Sequence, residues 1–343
     1  MTCTARPVSV SRVPSALQHV VYLSSEVLSD VAREFALLFW LACNLHKYRV
    51  VHFHTHVDRY FLAYALAKLM GRRIFLSATL DDSVPELVQT YRPLLRPIVA
   101  RLFGLFDGFV ALCPKHHAMN VEFLGTANTH LVPTGVHVPI EPRRDRDRTR
   151  SELGMAADDC VLIFVGGICD RKDPLFLVEQ LPAILSAHPA TRLLIVGPVL
   201  EDLHAQKIRT LIRENRLERH VFLLGTVLDP YPLYGAADIM TFASHLEGFG
   251  AVVTEAMAHE VPPVVRRLSG VNDAFIEQER TGFLFDTPEQ YVAAVCRLIS
   301  DVKLREHLGQ AGRNLVLEKY DSVATARHYL NIWRGHRRSD GLR

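Results

Sequence analysis

Short apolar runs rich in β-branched residues alternate with amphipathic helical segments along almost the whole chain, and this alternation strongly limits the possible folds. Such runs are typical of strands buried on both faces, which occur in parallel sheets covered by helices. The sequence therefore predicts an α/β protein. The predicted strands are Val50–His54, Arg73–Ser77, Gly108–Leu112, Thr129–Val132, Cys160–Gly166, Thr191–Gly197, His220–Leu224, Asp238–Phe242 and Val261–Val265.

The length of 343 residues fits two domains, and a candidate boundary is visible. Residues 139–150, PIEPRRDRDRTR, lack apolar periodicity and carry dense mixed charge, which is typical of a solvated connector. We therefore predict an N-terminal domain over residues 1–138, a linker over 139–150, a C-terminal domain over 151–320, and a terminal helix with a basic tail over 321–343.

Composition is that of an ordinary globular protein, with 49% apolar residues and a net charge of +2, so no nucleic-acid partner is expected. The longest apolar stretch, Phe35 to Cys43, is much shorter than the ~20 residues of a membrane span and predicts a buried helix. The N-terminus lacks the apolar core of a secretory signal. Six cysteines without metal-type spacing suggest free thiols in a reducing compartment, which predicts a cytoplasmic protein.

The strongest functional signal follows the strand Asp238–Phe242. Glu247 and Glu255 stand eight positions apart, with Gly248 and Gly250 between them, where a loop leads into a helix. Glycines allow a backbone to approach a ligand closely, and a helix N-terminus favours phosphate. A carboxylate one turn into that helix can accept hydrogen bonds from a ribose diol. The alternative is a capped surface helix carrying two solvated glutamates.

This E-x7-E pattern, with Gly-Phe-Gly and Glu-Ala-Met-Ala inside it, resembles the donor site of family-4 glycosyltransferases. The resemblance implies a GT-B architecture, in which two Rossmann-like domains face each other across a cleft. It also implies that Glu255 holds the nucleotide ribose and that Glu247 contacts the transferred sugar. The backbone of Gly248, Phe249, Gly250 and Ala251 would meet the diphosphate.

A second match lies after the strand that ends at Gly166. The family has Gly-Arg there and a lysine five residues later; here Lys172 matches the lysine, but Gly167 stands in place of the arginine. Arg171 is the candidate substitute, and both cations would stabilise the leaving phosphates. The alternative for Arg171 and Lys172 is a solvated helix start.

Other segments match less specifically. By resemblance, Thr226 and Val227 would meet the base, and Lys319–Trp333 would cross back onto the first domain. Glu260 replaces a customary glycine at a helix end, which costs stability. The match runs roughly from Val8 to Trp333 and omits the family's first βαβ unit, so we expect an incomplete N-terminal domain.

The N-terminal half offers fewer candidates. His52, His54 and His56 alternate along a strand and so share one face; they could ligate zinc, line the cleft or pack in the core. We expect no metal, since no fourth ligand is evident. Asp82, with Asp81, is a candidate acceptor contact or catalytic base, or else a helix N-cap.

A helix over residues 91–106, within a helical segment predicted near 86–105, places three arginines beside an apolar face. Peripheral membrane contact and simple packing of that helix are both open.

The predicted reaction moves a sugar from a nucleoside-diphosphate donor, of UDP or GDP type, to a hydroxyl of a glycan, lipid or small-molecule acceptor. The resemblance implies retention at the anomeric carbon and no separate cofactor. One alternative is a catalytically inactive GT-B-like binding or scaffold protein. Another is a dinucleotide oxidoreductase, because Gly248-Phe249-Gly250-x-x-Val253 is half of a G-x-G-x-x-G fingerprint, although the third glycine is missing.

Overall fold

The computed structural model describes residues 30–54, 60–77 and 83–335, and within them the chain forms two parallel sheets. The first sheet has the order β1-β2-β3-β4 and the second has the order β10-β9-β8-β5-β6-β7. The strands are β1 (Val50–His54), β2 (Arg73–Ser77), β3 (Gly108–Ala111), β4 (Thr129–Leu131), β5 (Cys160–Val165), β6 (Thr191–Val196), β7 (Val221–Gly225), β8 (Ile239–Phe242), β9 (Pro263–Arg266) and β10 (Phe283–Phe285).

Helices lie between most successive strands, which gives the βαβ crossovers of parallel pairing, whereas β9 and β10 are joined by a loop with a single 3-10 turn, Asn272–Ala274. The helices are α1 (Asp30–Asn44), α2 (Phe61–Leu69), α3 (Val84–Thr90), α4 (Arg96–Phe103), α5 (Pro114–Leu124), α6 (Arg146–Glu152), α7 (Pro174–Ala187), α8 (Asp202–Glu214), α9 (Tyr231–Ala236), α10 (Ala251–Ala258), α11 (Pro288–Ser300), α12 (Val302–Lys319) and α13 (Ser322–Arg334). The predicted α/β fold class is confirmed, and all nine predicted strands are present within one or two residues.

The core differs in size between the two sheets. Around the second sheet one continuous cluster of buried side chains runs from β5 through α12, with the strands β5, β6 and β8 almost entirely buried. On the first sheet a small cluster joins Phe75, Val110 and Val132 to Ile332 of α13. Arg73 also donates a hydrogen bond of 2.8 Å to the carbonyl of Trp333, so the last helix packs on the first sheet.

Two helix predictions were wrong. The segment near 86–105 is broken into α3 and α4, because Pro93 disfavours helical backbone at Arg92, whereas Pro97 lies in the first turn of α4, where proline is tolerated. Between and within the two helices Leu94, Leu95 and Ile98 are exposed. Membrane contact through residues 91–106 stays a prediction.

The apolar segment in α1 was expected to be buried, but Phe35 is 68% and Phe39 is 73% exposed, while Leu41 is buried. Within the described ranges, no helix combines the length and the apolar character that crossing a membrane requires.

Three of the five arginines of residues 139–150 bond to the second sheet, while Arg144 and Arg148 are exposed, so the interpretation of the segment as a solvated connector is only partly right. Arg146 donates to one oxygen of Asp238 at 2.6 Å and Arg150 donates to the other at 2.5 Å. Arg143 donates to the carbonyls of Ala237 and Glu260. Burial opposes ionisation of Asp238, but the two guanidinium groups outweigh it and hold the pKa of Asp238 below its usual range. This segment therefore anchors α6 and α9 to the second sheet.

Candidate active site

The order of the second sheet reverses at β5, which has β6 on one side and β8 on the other. Ligands of open α/β sheets bind outside the carboxyl ends of the strands at such a reversal. Pairing between β5 and β8 is confined to Leu162 with Ile239 and Ile163 with Met240, so the two strands separate beyond that point. The loops that follow them, residues 166–173 and 243–250, border the resulting crevice.

Hydrogen bonds hold these two loops together. The carbonyl of Arg171 accepts from the backbone N–H of His245 at 2.9 Å and from the hydroxyl of Ser244 at 3.1 Å. The guanidinium of Arg171 donates to the carbonyl of Leu246 at 2.7 Å. His245 Nε2 lies 3.1 Å from a carboxylate oxygen of Asp173. The loops therefore form one unit with little freedom to separate.

Three predicted catalytic residues meet in this unit. The ammonium of Lys172 contacts Oε1 of Glu247, and the guanidinium of Arg171 lies 3.8 Å from the same oxygen. Lys172 also lies over the ring of Phe242, 5.2 Å from its centroid. Glu247 is buried, Lys172 is half-buried and Arg171 is 38% exposed, so two positive charges lie beside one buried negative charge. The surplus positive charge suits an anionic ligand. Asp82 and Asp81 lie outside the described residues.

The predicted phosphate-binding backbone lies beside this cluster. Gly250 has φ +89°, a left-handed conformation that favours glycine, and it precedes the first residue of α10. Gly250 has no side chain to cap the first N–H groups of α10, so the positive end of this helix is open to a ligand. The ring of Phe249 packs against Phe275 and Tyr320, which leaves only its backbone for ligand contact; Gly248 is buried and Ala251 is half-buried.

Glu255 lies one turn into α10. Its Oε2 accepts a hydrogen bond of 2.9 Å from the hydroxyl of Tyr234 on α9. Burial raises the pKa of Glu255, and the hydrogen bond from Tyr234 opposes that rise. The sequence carries no signal for Tyr234, because its contact with Glu255 joins two helices and spans 21 positions.

The ends of β5, β6 and β7 carry the remaining candidates. A side chain on Gly197 would lie 2.0 Å from the carbonyl oxygen of Gly166, so these strand ends approach closely only because glycine stands at 197. Thr226 and Val227 directly follow β7, where Thr226 is exposed and Val227 half-buried. Their contact with a base stays a prediction.

Leu200 occupies the space that a side chain at position 167 would need. A Cβ atom at position 167 would lie 2.3 Å from Cδ1 of Leu200, so an arginine could not be accommodated there unless Leu200 moved. The cationic groups near this position are Arg171 and Lys172, which supports their assignment to the site.

His52 packs against neighbouring side chains, whereas His54, at the end of β1, is exposed. His52 Nε2 lies 2.8 Å from the hydroxyl of Ser77, and its ring stacks on His54 with centroids 4.3 Å apart. Burial, aided by His54, lowers the pKa of His52 to about 3, so it is neutral and a weak base. His56 lies outside the described residues, and among those described no three His, Cys, Asp or Glu residues are placed to hold a metal.

Comparison with known proteins agrees with this geometry. Residues 145–315 match the family model for glycosyl transferases group 1. The N-acetyl-alpha-D-glucosaminyl L-malate synthase of Bacillus anthracis is 25% identical over 289 residues, which is 83% of this chain and 74% of the relative. A D-inositol 3-phosphate glycosyltransferase of Segniliparus rotundus is 30% identical over 193 residues, which is 53% of this chain but only 41% of that relative.

Solved structures share the fold at low identity. A glycosyltransferase from Rickettsia africae superposes with a TM-score of 0.76 at 18% identity, covering 93% of this chain and 85% of its own. Anabaena HepE in complex with UDP and glucose superposes with a TM-score of 0.74 at 18% identity, covering 90% of this chain and 83% of its own. The dinucleotide alternative finds no support here, because Val253 is buried in the place of the third glycine and Glu255 lies within α10.

Proposed function

We propose that this chain, which resembles the family-4 glycosyltransferases in sequence and in its GT-B fold, transfers a sugar from a nucleoside diphosphate to an acceptor hydroxyl. The observation that carries the proposal is the convergence of Lys172, Arg171 and the open end of α10 beside Glu247, at the strand-order reversal. The donor is of UDP or GDP type, and the chemistry requires no metal and no further cofactor.

Positive charge is what the reaction needs most, because negative charge builds on the diphosphate as the glycosidic bond breaks. An ammonium has three donors, so Lys172 can keep its contact with Glu247 and still donate to a phosphate oxygen. Arg171 and the first turn of α10 add to this field. Diphosphate is a good leaving group once it is stabilised, so no strong general acid is required.

Two glutamates place the rest of the donor. Glu247 would orient the sugar through its hydroxyl groups, and Glu255 would accept hydrogen bonds from the ribose. Retention follows if the acceptor attacks on the face that the diphosphate vacates, and the family resemblance is what favours it. Asp82 stays a candidate for acceptor contact or base function.

The acceptor class is the widest open part of the proposal. Two relatives are named for transfer to L-malate and to inositol 3-phosphate, both small hydroxylated anions. We therefore place small anionic acceptors beside glycans and lipids as candidates.

The test is nucleotide binding followed by turnover. Thermal shifts of the purified chain are measured with UDP, GDP, ADP and NAD, and repeated for Glu255→Ala. We expect stabilisation by UDP or GDP that the variant loses. The exposed Glu318 on α12 supplies a matched control, since Glu318→Ala should keep the shift.

Turnover then separates enzyme from scaffold. Hydrolysis or transfer of the sugar from the donor that binds should fall by ~10²–10³ in Lys172→Ala, the usual effect of removing one transition-state donor. Nucleotide binding without any sugar release would identify an inactive binding protein. A shift with NAD alone, or with no nucleotide, would overturn the proposal.

A further inference from the structure

The buried hydroxyl of Tyr234 contacts Glu255 and has no role in the donor chemistry proposed above. Tyr234 is fully buried on α9, and its hydroxyl donates to Oε2 of Glu255 at 2.9 Å. The two residues are 21 positions apart and belong to different helices. The contact therefore arises from packing of α9 on α10 and not from helical spacing.

Neighbouring rings leave Tyr234 little room to move. Its ring lies 5.4 Å from that of His259, which in turn lies 5.2 Å from Tyr231. Tyr231 stacks on His137 at 5.9 Å. His259 Nδ1 lies 2.8 Å from the backbone carbonyl of Glu255, which can only accept, so Nδ1 carries the proton. This row of four rings ties α9, the end of α10 and residue 137 together around Glu255.

A glutamate on a helix face has three rotatable bonds, and holding it in one conformation costs conformational entropy on ligand binding. A hydrogen bond from a fixed partner removes part of that cost beforehand. With Oε2 engaged by Tyr234, Oε1 has no hydrogen-bond partner among the described residues and is the oxygen left for a ligand.

We propose that Tyr234 is a positioning residue, which holds the carboxylate of Glu255 in one orientation and presents Oε1 to the ribose hydroxyls of the nucleotide. This inference rests on the proposed function, in which Glu255 binds the ribose. It adds a reason for the site to favour ribonucleotides over deoxyribonucleotides.

The same hydrogen bond acts on the charge of Glu255. Burial raises the pKa of Glu255, while donation from Tyr234 favours the ionised form and lowers that pKa. The ionised form accepts hydrogen bonds from both ribose hydroxyls, whereas a protonated carboxyl would present a competing donor. Loss of the tyrosine hydroxyl should therefore raise the pKa of Glu255.

Tyr234→Phe removes one oxygen and keeps the ring, so it tests the idea directly. Affinity is measured by calorimetry with UDP and GDP and with their 2′,3′-dideoxy analogues, between pH 5 and 8. We expect the ribonucleotide affinity to fall by ~10-fold and the dideoxy affinity to stay unchanged. The acid limb of ribonucleotide binding should move to higher pH, a readout that a purely structural residue would not shift. Equal losses for both nucleotide types, or an unmoved acid limb, would overturn the inference.

Two further proteins keep the test decisive. Tyr291→Phe removes another fully buried hydroxyl, on α11, and should alter neither the affinity nor the acid limb. Incorporation of 3,5-difluorotyrosine at position 234 keeps the hydroxyl and makes it a stronger donor, so the acid limb should move to lower pH. That measurement serves if Tyr234→Phe does not fold, and an unmoved or raised limb would contradict the inference.

Glu255→Gln separates this inference from the function on which it rests. If Glu255→Gln binds UDP and GDP as tightly as the parent chain, the proposed donor site itself fails. If Glu255→Gln weakens ribonucleotide binding while Tyr234→Phe does not, only the role of Tyr234 fails. In the double variant the effect of Tyr234→Phe should disappear.

Discussion

The two sheets are built from the same unit and yet differ in what they can bind. The second sheet reverses its strand order at β5, and this reversal opens a crevice whose two loops carry Lys172 and Glu247. The described strands of the first sheet run in sequential order without a reversal. His52, in the middle of β1, and Ser77, at the end of β2, bond to each other beneath α13. In this protein the polar groups that follow β5 and β8 form the proposed site, whereas those of β1 and β2 pack against each other.

The electrostatics of the two regions differ in the same way. Around the second sheet, buried charges are ionised and paired, as in Asp238 with Arg146 and Arg150. On the first sheet, by contrast, His52 lies among aromatic rings, and burial lowers its pKa to about 3, so it is neutral. The regions should therefore respond differently to mutation and to acid.

The largest expected effect is on the charged pairs of the second sheet. Asp238→Asn leaves the guanidinium groups of Arg146 and Arg150 without a countercharge, and we expect a loss of ~3–5 kcal/mol in the free energy of unfolding. Asp286→Asn, which breaks an exposed pair with Arg267, should cost at most ~1 kcal/mol. Urea denaturation of both variants is the measurement, and similar losses in the two would contradict the difference.

Acid should act on the first sheet before it acts on these pairs. Burial lowers the pKa of His52 in the folded chain to about 3, from about 6.5 for an unperturbed imidazole, so the unfolded chain takes up the proton first. Its stabilising contribution is therefore complete above pH 6.5 and is lost as pH falls toward 3. For a shift this large the loss between pH 7 and pH 5 is about 2 kcal/mol. The pKa of Asp238 is lowered, so the stability that its ion pairs contribute is lost only at a pH below the usual carboxylate range.

His52→Phe isolates this effect. The free energy of unfolding, followed by tryptophan fluorescence, should fall by about 2 kcal/mol less in the variant than in the parent chain between pH 7 and pH 5. The comparison is made within each protein across pH, so the loss of the bond to Ser77 cancels. Parallel pH dependence in the two proteins would show that His52 is already charged or exposed.

The smallest expected change in stability comes from backbone strain at two residues beside the second sheet. Glu260 has φ +61°, where a non-glycine residue is disfavoured, so Glu260→Gly should stabilise the fold by ~1 kcal/mol. Arg216, at φ +54° after α8, is the matched position, and Arg216→Gly should give a similar gain. A much smaller gain at 260 would mean that the carboxylate, 3.8 Å from Arg313, contributes to stability. The melting temperatures of both variants, compared with that of the parent chain, measure the two gains.

Much of this architecture could be predicted from the sequence, because apolar runs rich in β-branched residues indicate buried parallel strands. Lys172, Glu247 and Glu255 were predicted as site residues, and the structure brings Lys172 and Glu247 into contact. The contacts that packing creates could not be predicted. Partners brought together by packing, such as Tyr234 and Glu255, leave no periodic signal.

Composition also misled in one place. The mixed charge of residues 139–150 suggested solvation, although Arg143, Arg146 and Arg150 are three and four positions apart and so share one face of a helical turn. That spacing could have indicated a common buried partner. The filling of position 167 by Leu200 could not have been found in this way, since it joins two loops that follow different strands.

The position of α13 has a consequence during biosynthesis. Ile332 completes the cluster of Phe75, Val110 and Val132, so the core of the first sheet is incomplete until Ile332 has been made. At bacterial or eukaryotic elongation rates, the ~200 residues between Val132 and Ile332 take on the order of 10–40 s to synthesise. The first sheet is therefore synthesised well before the helix that completes its core. The described core of the second sheet, by contrast, contains no residue of α13.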